Sequence, residues 1–214
     1  MLHAACEFVF LARIACMSTR KKAARKPRRK KKVTRQSRDY LLPAEMERLL
    51  KAAMKTGRHS HRNYTLALIC YRHGLRVGEL TELRWRHVDL KRKVLRVKRI
   101  KNGINSVQPL RQVELVALRK LKRDYPDSSY LFTTDRGTIV SVYNARRIFA
   151  RAGRIARLKL RVHPQMLRHA CGHALAAAGQ NMLSVQQYLG HRNIRHTQRY
   201  MELPKKPFKD FWKD

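Results

Sequence analysis

Five side chains in this sequence are of types that can transfer a phosphoryl group without a metal ion: Arg76, Lys101, Arg168, His191 and Tyr200. Tyr200 closes a short basic segment that begins where an apolar run stops, Leu189-Gly190-His191-Arg192-Asn193-Ile194-Arg195-His196-Thr197-Gln198-Arg199-Tyr200. A tyrosine oxygen can attack phosphorus and hold it covalently. A guanidinium presents a planar fork to two phosphate oxygens and keeps its charge at any physiological pH. Two such forks can neutralise a pentavalent transition state, the task that metal ions perform in other enzymes. The imidazole can hold a phosphate oxygen, and the amine can protonate a departing one. The sequence has no acidic cluster of the metal-nuclease kind, so the basic residues must carry this chemistry. Taken singly, each residue also has a plain reading: either arginine could pair with Glu79 at a helix end, and Tyr200 could be a packing aromatic.

The elements that must position these groups are legible from periodicity. Met46, Leu49, Leu50 and Ala53 fall on one face of a helix that starts at Leu42-Pro43. Residues 62–73 predict a buried helix, apolar from Leu66 to Cys70 and ended by Gly74. Leu80 and Leu83 resume helical spacing straight after Arg76. The period then changes: Val94 to Ile100 and Val107 to Leu110 predict two strands joined by a two-residue turn at Asn102-Gly103, with Lys101 at its lip. From Gln112 to Tyr125 the pattern Val113, Val116, Ala117, Leu121 predicts another helix. Ser141 and Asn181 have the character of N-caps for helices running to Ala156 and to Leu189, and His163-Pro164 opens a helix through Ala178. The fold class expected is α+β, mostly helical, with a small antiparallel hairpin.

The balance of 50 Lys+Arg against 14 Asp+Glu gives a net charge of +36, which repels itself unless a polyanion lies against it. Nucleic acid is the usual polyanion. Residues 1–39 are read as a basic, disordered arm: twelve Lys or Arg and no acid fall between Arg20 and Arg38. Within it, residues 1–16 are a candidate over-extended start, because Met17 opens directly into the basic run. That apolar stretch is broken by Glu7 and Arg13 and lacks a basic lead, so it does not make a signal peptide. Residues 40–203 form one domain and 204–214 a tail. Cys6, Cys16, Cys70 and Cys171 are scattered, which suits reduced thiols in the cytoplasm. His169-x-Cys171-x-His173 lacks the further ligands of a zinc set, so neither metal nor cofactor is expected. No run of 18 apolar residues spans a membrane.

Gly74-Leu75-Arg76-Val77-Gly78-Glu79-Leu80, Lys101 at its hairpin, Met166-Leu167-Arg168-His169, Leu189-Gly190-His191 and Tyr200 occur in the order and spacing of the tyrosine recombinases, which this sequence resembles over residues 40–203. Tyr71-Arg72-His73-Gly74, Lys101-Asn102-Gly103, His163-Pro164 and the Gly190-to-Thr197 segment resemble the short fimbrial phase-switch branch in particular. The resemblance implies a site-specific DNA recombinase that works through a 3′-phosphotyrosyl link, needing neither metal nor ATP. In it Arg76 and Arg168 hold the non-bridging oxygens, Lys101 protonates the 5′-oxygen, His191 bonds the phosphate, and Glu79 braces the site. It further implies double-stranded DNA as partner, a homotetramer on two duplexes, accessory DNA-bending proteins and a place at the bacterial nucleoid. Gln165 departs from the pattern, standing where the family's box His-x-x-Arg has histidine. Glutamine still donates to a phosphate oxygen but cannot shuttle a proton. His163, two residues earlier, substitutes poorly if the two share a helix. The competing reading is a basic DNA-binding protein of this fold with weakened or lost chemistry, and Gln165 is what favours it.

Overall fold

The computed structural model describes residues 38–100 and 102–201. The basic arm up to residue 37, the tail from residue 202 and Lys101 lie outside the described residues. In chain order the elements are α1 (Pro43–Ala53), α2 (Ser60–Arg72), α3 (Val77–Thr81), a single 3-10 turn at Trp85–His87, and β1 (Val88–Asp89). There follow β2 (Val94–Val97), β3 (Ser106–Pro109), α4 (Gln112–Asp124), α5 (Val142–Ile155), α6 (Pro164–Ala177), α7 (Met182–Leu189) and α8 (Arg195–Gln198). The strands form one antiparallel sheet in the order β1-β2-β3.

Helix α2 is central, packing against α1, α4 and α6, and Leu66 through Cys70 along it are fully buried. Met46, Leu49 and Ala53 of α1 close one side of the core, Leu115, Leu118 and Leu121 of α4 another, and Phe149 and Ala152 of α5 a third. Burying each large apolar side chain contributes about 1.5–3 kcal/mol. A smaller cluster of Cys171, Val185, Leu189 and Tyr200 holds α6, α7 and the end of α8 together.

The helix signals are where the sequence places them. Ser141 Oγ accepts the Asn144 N–H (3.2 Å) and Asn181 Oδ1 accepts the Ser184 N–H (2.8 Å). Gly74 adopts φ +54° after α2, and Gly190 adopts φ +67° after α7.

Two expectations need correction. The strands do not run up to a two-residue turn: Val97 pairs with Ser106, and residues 98–105 form a longer connection. Asn105 Oδ1 accepts the Arg99 N–H (2.8 Å), so a side chain replaces the next rung of the ladder. The face of α4 also differs in part from the one expected: Ala117 and Leu121 are buried as expected, but Val113 and Val116 are exposed, and Glu114, Leu115 and Leu118 are buried in their place. The inward side is occupied by a polar contact in the core. His73 Nε2 lies 2.8 Å from Glu114 Oε1, and both side chains are essentially inaccessible. His73 Nδ1 and Gln108 Oε1 are 2.7 Å apart, while Gln108 Nε2 donates to Tyr188 O (2.7 Å). A polar chain therefore runs from the end of α2 through β3 to α7, and the inward-facing Glu114 of α4 meets it at His73.

Candidate active site

Arg76 is the N-cap of α3, with extended backbone (φ −71°, ψ 152°). Glu79, three residues on, reaches back to accept the Arg76 N–H (2.9 Å), so the carboxylate that caps the helix also sits beside the guanidinium. Arg76 Nη1 donates to Glu79 Oε1 (2.8 Å), and the arginine side chain stays partly exposed at 28%. Arg168, on α6, is buried. Its Nη1 donates to Gly74 O and its Nη2 to Leu189 O (2.7 Å), tying the turn before Arg76 to the turn before His191. Glu79 lies 4.0 Å from it. Burial, with Arg99 and Arg76 adding repulsion, pushes the Arg168 guanidinium down to about 10, so it remains charged at neutral pH.

His191 follows the left-handed Gly190 that ends α7, and its Nδ1 bonds Thr197 Oγ1 of α8 (2.8 Å). Its ring lies parallel to that of Tyr200, with centroids 6.2 Å apart. Burial, followed by the charges of Arg168 and Arg76, pushes His191 down to about 3, so at pH 7 it is a neutral hydrogen-bonding group. Tyr200 is buried after the last turn of α8. Burial pushes its phenol up to about 12, with Arg168 pulling the other way. Its hydroxyl is hydrogen-bonded to Nδ1 of His169 (2.8 Å).

The structure thus brings Arg76, Arg168 and His191 together around Gly74, Glu79 and Gly190, with the Tyr200 ring beside His191 and its hydroxyl buried against His169, while Lys101 falls outside the described residues. Gln165 is exposed on the first turn of α6, its amide nitrogen 3.3 Å from Nε2 of His169. Helix α6 starts at Pro164 and leaves His163 outside it as an extended N-cap. His163, Gln165, Arg76 and Ile100 line one cleft of about 670 Å³. Arg76 also lines a second cleft of about 710 Å³ with Gly103, His191 and His196.

Two functional contacts escape the sequence reading. His169 touches the hydroxyl of Tyr200; Asp39 and Arg199 lie 3.6 and 3.3 Å from its Nε2. No periodicity could reveal that, because the contact joins residues 31 apart on separate segments of the chain. Arg99 is the other. It hides in the run Lys98-Arg99-Ile100-Lys101, yet its side chain is buried, with Nη1 donating to Glu79 Oε2 (2.8 Å). A signal for it existed: Leu95, Val97 and Arg99 share the inward phase of a two-residue period.

A model of the phage integrase family matches residues 39–206. The type 1 fimbriae regulatory protein FimB of Escherichia coli K12 is 42% identical over 173 residues, covering 78% of this chain and 86% of FimB. The structure resembles that of XerA recombinase with a TM-score of 0.70 at 25% identity, over 83% of this chain and 65% of XerA, so the chain spans about two thirds of that protein. A lambda integrase dimer bound to a core site shares the fold, with a TM-score of 0.63 at 20% identity, over 85% of this chain and 51% of the integrase chain.

Proposed function

The chain belongs to the phage integrase family, and from that membership and the site's geometry we propose how this tyrosine recombinase cleaves and rejoins DNA. Tyr200 Oη bonds to a DNA phosphorus while the bond from phosphorus to the 5′-oxygen breaks, leaving a 3′-phosphotyrosyl link. The phenolic proton passes to His169, the imidazole already at that oxygen. Lys101 gives a proton to the departing 5′-oxygen. Religation reverses each transfer, and the covalent link conserves the bond energy without ATP. Arg76 and Arg168 grip the non-bridging oxygens, and each nitrogen of the Arg168 fork retains a second hydrogen beyond those given to Gly74 and Leu189. Thr197 holds Nδ1 of His191, which leaves Nε2 for the phosphate. The observation that carries this reading is that Arg168 ties the turn before Arg76 to the turn before His191, with the ring of Tyr200 packed 6.2 Å from that of His191.

DNA is the partner the +36 charge fits. A homotetramer on two aligned sites, helped by DNA-bending proteins at the nucleoid, is the assembly proposed. Among the described residues no helix is long and apolar enough to cross a membrane. The test is covalent trapping on a duplex nicked just past the cleavage site, where the released fragment diffuses away. The protein should form an adduct that Tyr200→Phe does not. A chain that binds this DNA and yields no adduct is the chemically silent protein of the competing reading.

Gln165 provides a graded check. It lies beside His169 and in the same cleft as Arg76, so Gln165→His adds an imidazole where the phosphate and the phenol's partner meet. Cleavage of the nicked substrate should rise, by up to about 10²-fold. An unchanged or lower rate would show that no proton transfer is missing there.

A further inference from the structure

Arg99 is a buried cation that the chemistry above does not use. Its side chain is inaccessible, a costly place for a charge unless every side is compensated. Compensation comes from three stretches of chain and reaches both terminal nitrogens, while Nε finds no partner among the described residues. Nη1 donates to Glu79 Oε2 (2.8 Å) and Gly74 O (3.2 Å); Nη2 donates to Tyr188 O (2.6 Å) and His73 O (3.2 Å). Around it the hairpin is fastened twice more: Asn105 holds the Arg99 N–H, and the Ile100 N–H reaches Glu79 Oε1 at 3.3 Å. The tip is seated on the turn that precedes His191. A Cβ on Gly103 would stand 2.9 Å from Gly190 O and 2.8 Å from Arg99 Cβ, and one on Gly190 would stand 2.6 Å from Arg99 Cγ. Only bare backbone permits that approach.

An apolar side chain would continue the inner face begun by Leu95 and Val97 without the cost of burying a charge. What a guanidinium adds is direction, a rigid fork satisfied at once by Glu79 and by the ends of α2 and α7. Glu79 is shared: it takes Arg99 on one oxygen and Arg76 on the other. Gly74 O is shared as well, between Arg99 and Arg168.

We propose that Arg99 is the positioning residue of the hairpin, clamping it to Glu79 and to Tyr188–Gly190 so that the segment carrying residue 101 is set in one frame with Arg76, Arg168 and His191. This rests on the reading of Lys101 as the proton donor to the 5′-oxygen. Arg99 itself touches no reacting atom. Its loss should therefore look like loss of the acid and not like loss of phosphate binding.

The experiment uses the full chain with Arg99→Lys, which keeps the charge and loses the fork. Single-turnover cleavage is measured on a nicked duplex with an ordinary phosphodiester and on one whose bridging 5′-oxygen is sulfur, a leaving group that needs no proton. Arg99→Lys should slow the ordinary substrate by about 10²-fold, the low end of a general acid's contribution, and cleave the sulfur substrate within about threefold of the parent. Lys101→Ala should behave alike. Equal losses on both substrates, or none on either, overturn the proposal. If Lys101→Ala is not rescued by sulfur, the lysine reading fails on its own, and hydrogen exchange decides the role of Arg99. Amides of residues 98–106 should exchange at least about tenfold faster in Arg99→Lys while those of Leu66–Cys70 stay protected; unchanged exchange in the hairpin overturns the clamp. Should Arg99→Lys fail to fold, Asn105→Ala, which releases only the Arg99 N–H, should give the same pattern in weaker form, and its absence counts against the proposal equally.

Discussion

Replacing Glu79 with alanine is expected to lower the stability of the fold by about 3–5 kcal/mol, the usual cost of removing one partner from a buried ion pair. For a domain of this size that is a fall in Tm of roughly 6–20 °C. The carboxylate is buried and accepts from Arg76 Nη1, the Arg76 N–H, Arg99 Nη1 and the Ile100 N–H. Its removal leaves the Arg99 charge stranded in the interior. Glu79→Gln separates charge from shape. Burial pushes the Glu79 carboxyl up, but the charge of Arg99 and the hydrogen bonds from Arg76 and Arg99 outweigh it and hold the group below its ordinary value. A depressed native pKa contributes stability above the unfolded value of about 4.3, and that contribution is lost as pH falls through the lower native value. The wild type should thus destabilise steeply in acid below about pH 4, and the difference between wild type and Glu79→Gln should shrink over the same window. Thermal melts from pH 3 to 7 measure both. A Glu79→Ala protein that melts with the wild type would sink the idea that this carboxylate holds the site together.

That hub shows where the sequence was readable and where it was not. Arg76 and His191 were visible beside the helix-ending glycines Gly74 and Gly190, Arg168 within the helix that Pro164 opens, and Tyr200 by its nine-residue step from His191. Glu79 was visible as a brace because it falls three residues after Arg76, the spacing that lets a carboxylate reach back to a helix N-terminus. Its pairing with Arg99 was not, because twenty residues of turn and strand separate them and only the folded hairpin brings them to 2.8 Å. The outward turn of Val113 and Val116 on α4 has a similar cause. Counting apolar residues favours Val113 and Val116, but Glu114 faces His73, the cap of another helix, and a buried carboxylate must keep its polar neighbour. Long-range polar contacts leave no period in the sequence, and these are what join Arg99 to Glu79 and Glu114 to His73.

Arg168→Lys should separate two duties of one side chain. The Arg168 fork donates to Gly74 O and Leu189 O, carbonyls on turns 115 residues apart in the chain, and offers its remaining hydrogens to the phosphate. A lysine has one nitrogen and cannot span both carbonyls while still facing a phosphate. An orphaned buried carbonyl costs about 1–3 kcal/mol, so a lower Tm is expected. Cleavage of the nicked substrate should fall by about 10²–10³-fold, the typical effect of removing a donor to the transition state. DNA affinity should move little, since it is spread over many basic residues and set by counterion release. Arg76→Lys is the control: that side chain is partly exposed, so cleavage should suffer comparably while stability changes by less than about 1 kcal/mol. The pH dependence adds a signature. The Arg168 guanidinium is pushed down to about 10 and is charged throughout the physiological range. A lysine buried in the same place titrates lower still, so the residual activity of Arg168→Lys should decline toward alkaline pH before that of the wild type does. If Arg168→Lys cleaves at the wild-type rate, or loses DNA binding in step with cleavage, the guanidinium fork is not what stabilises the transferring phosphate.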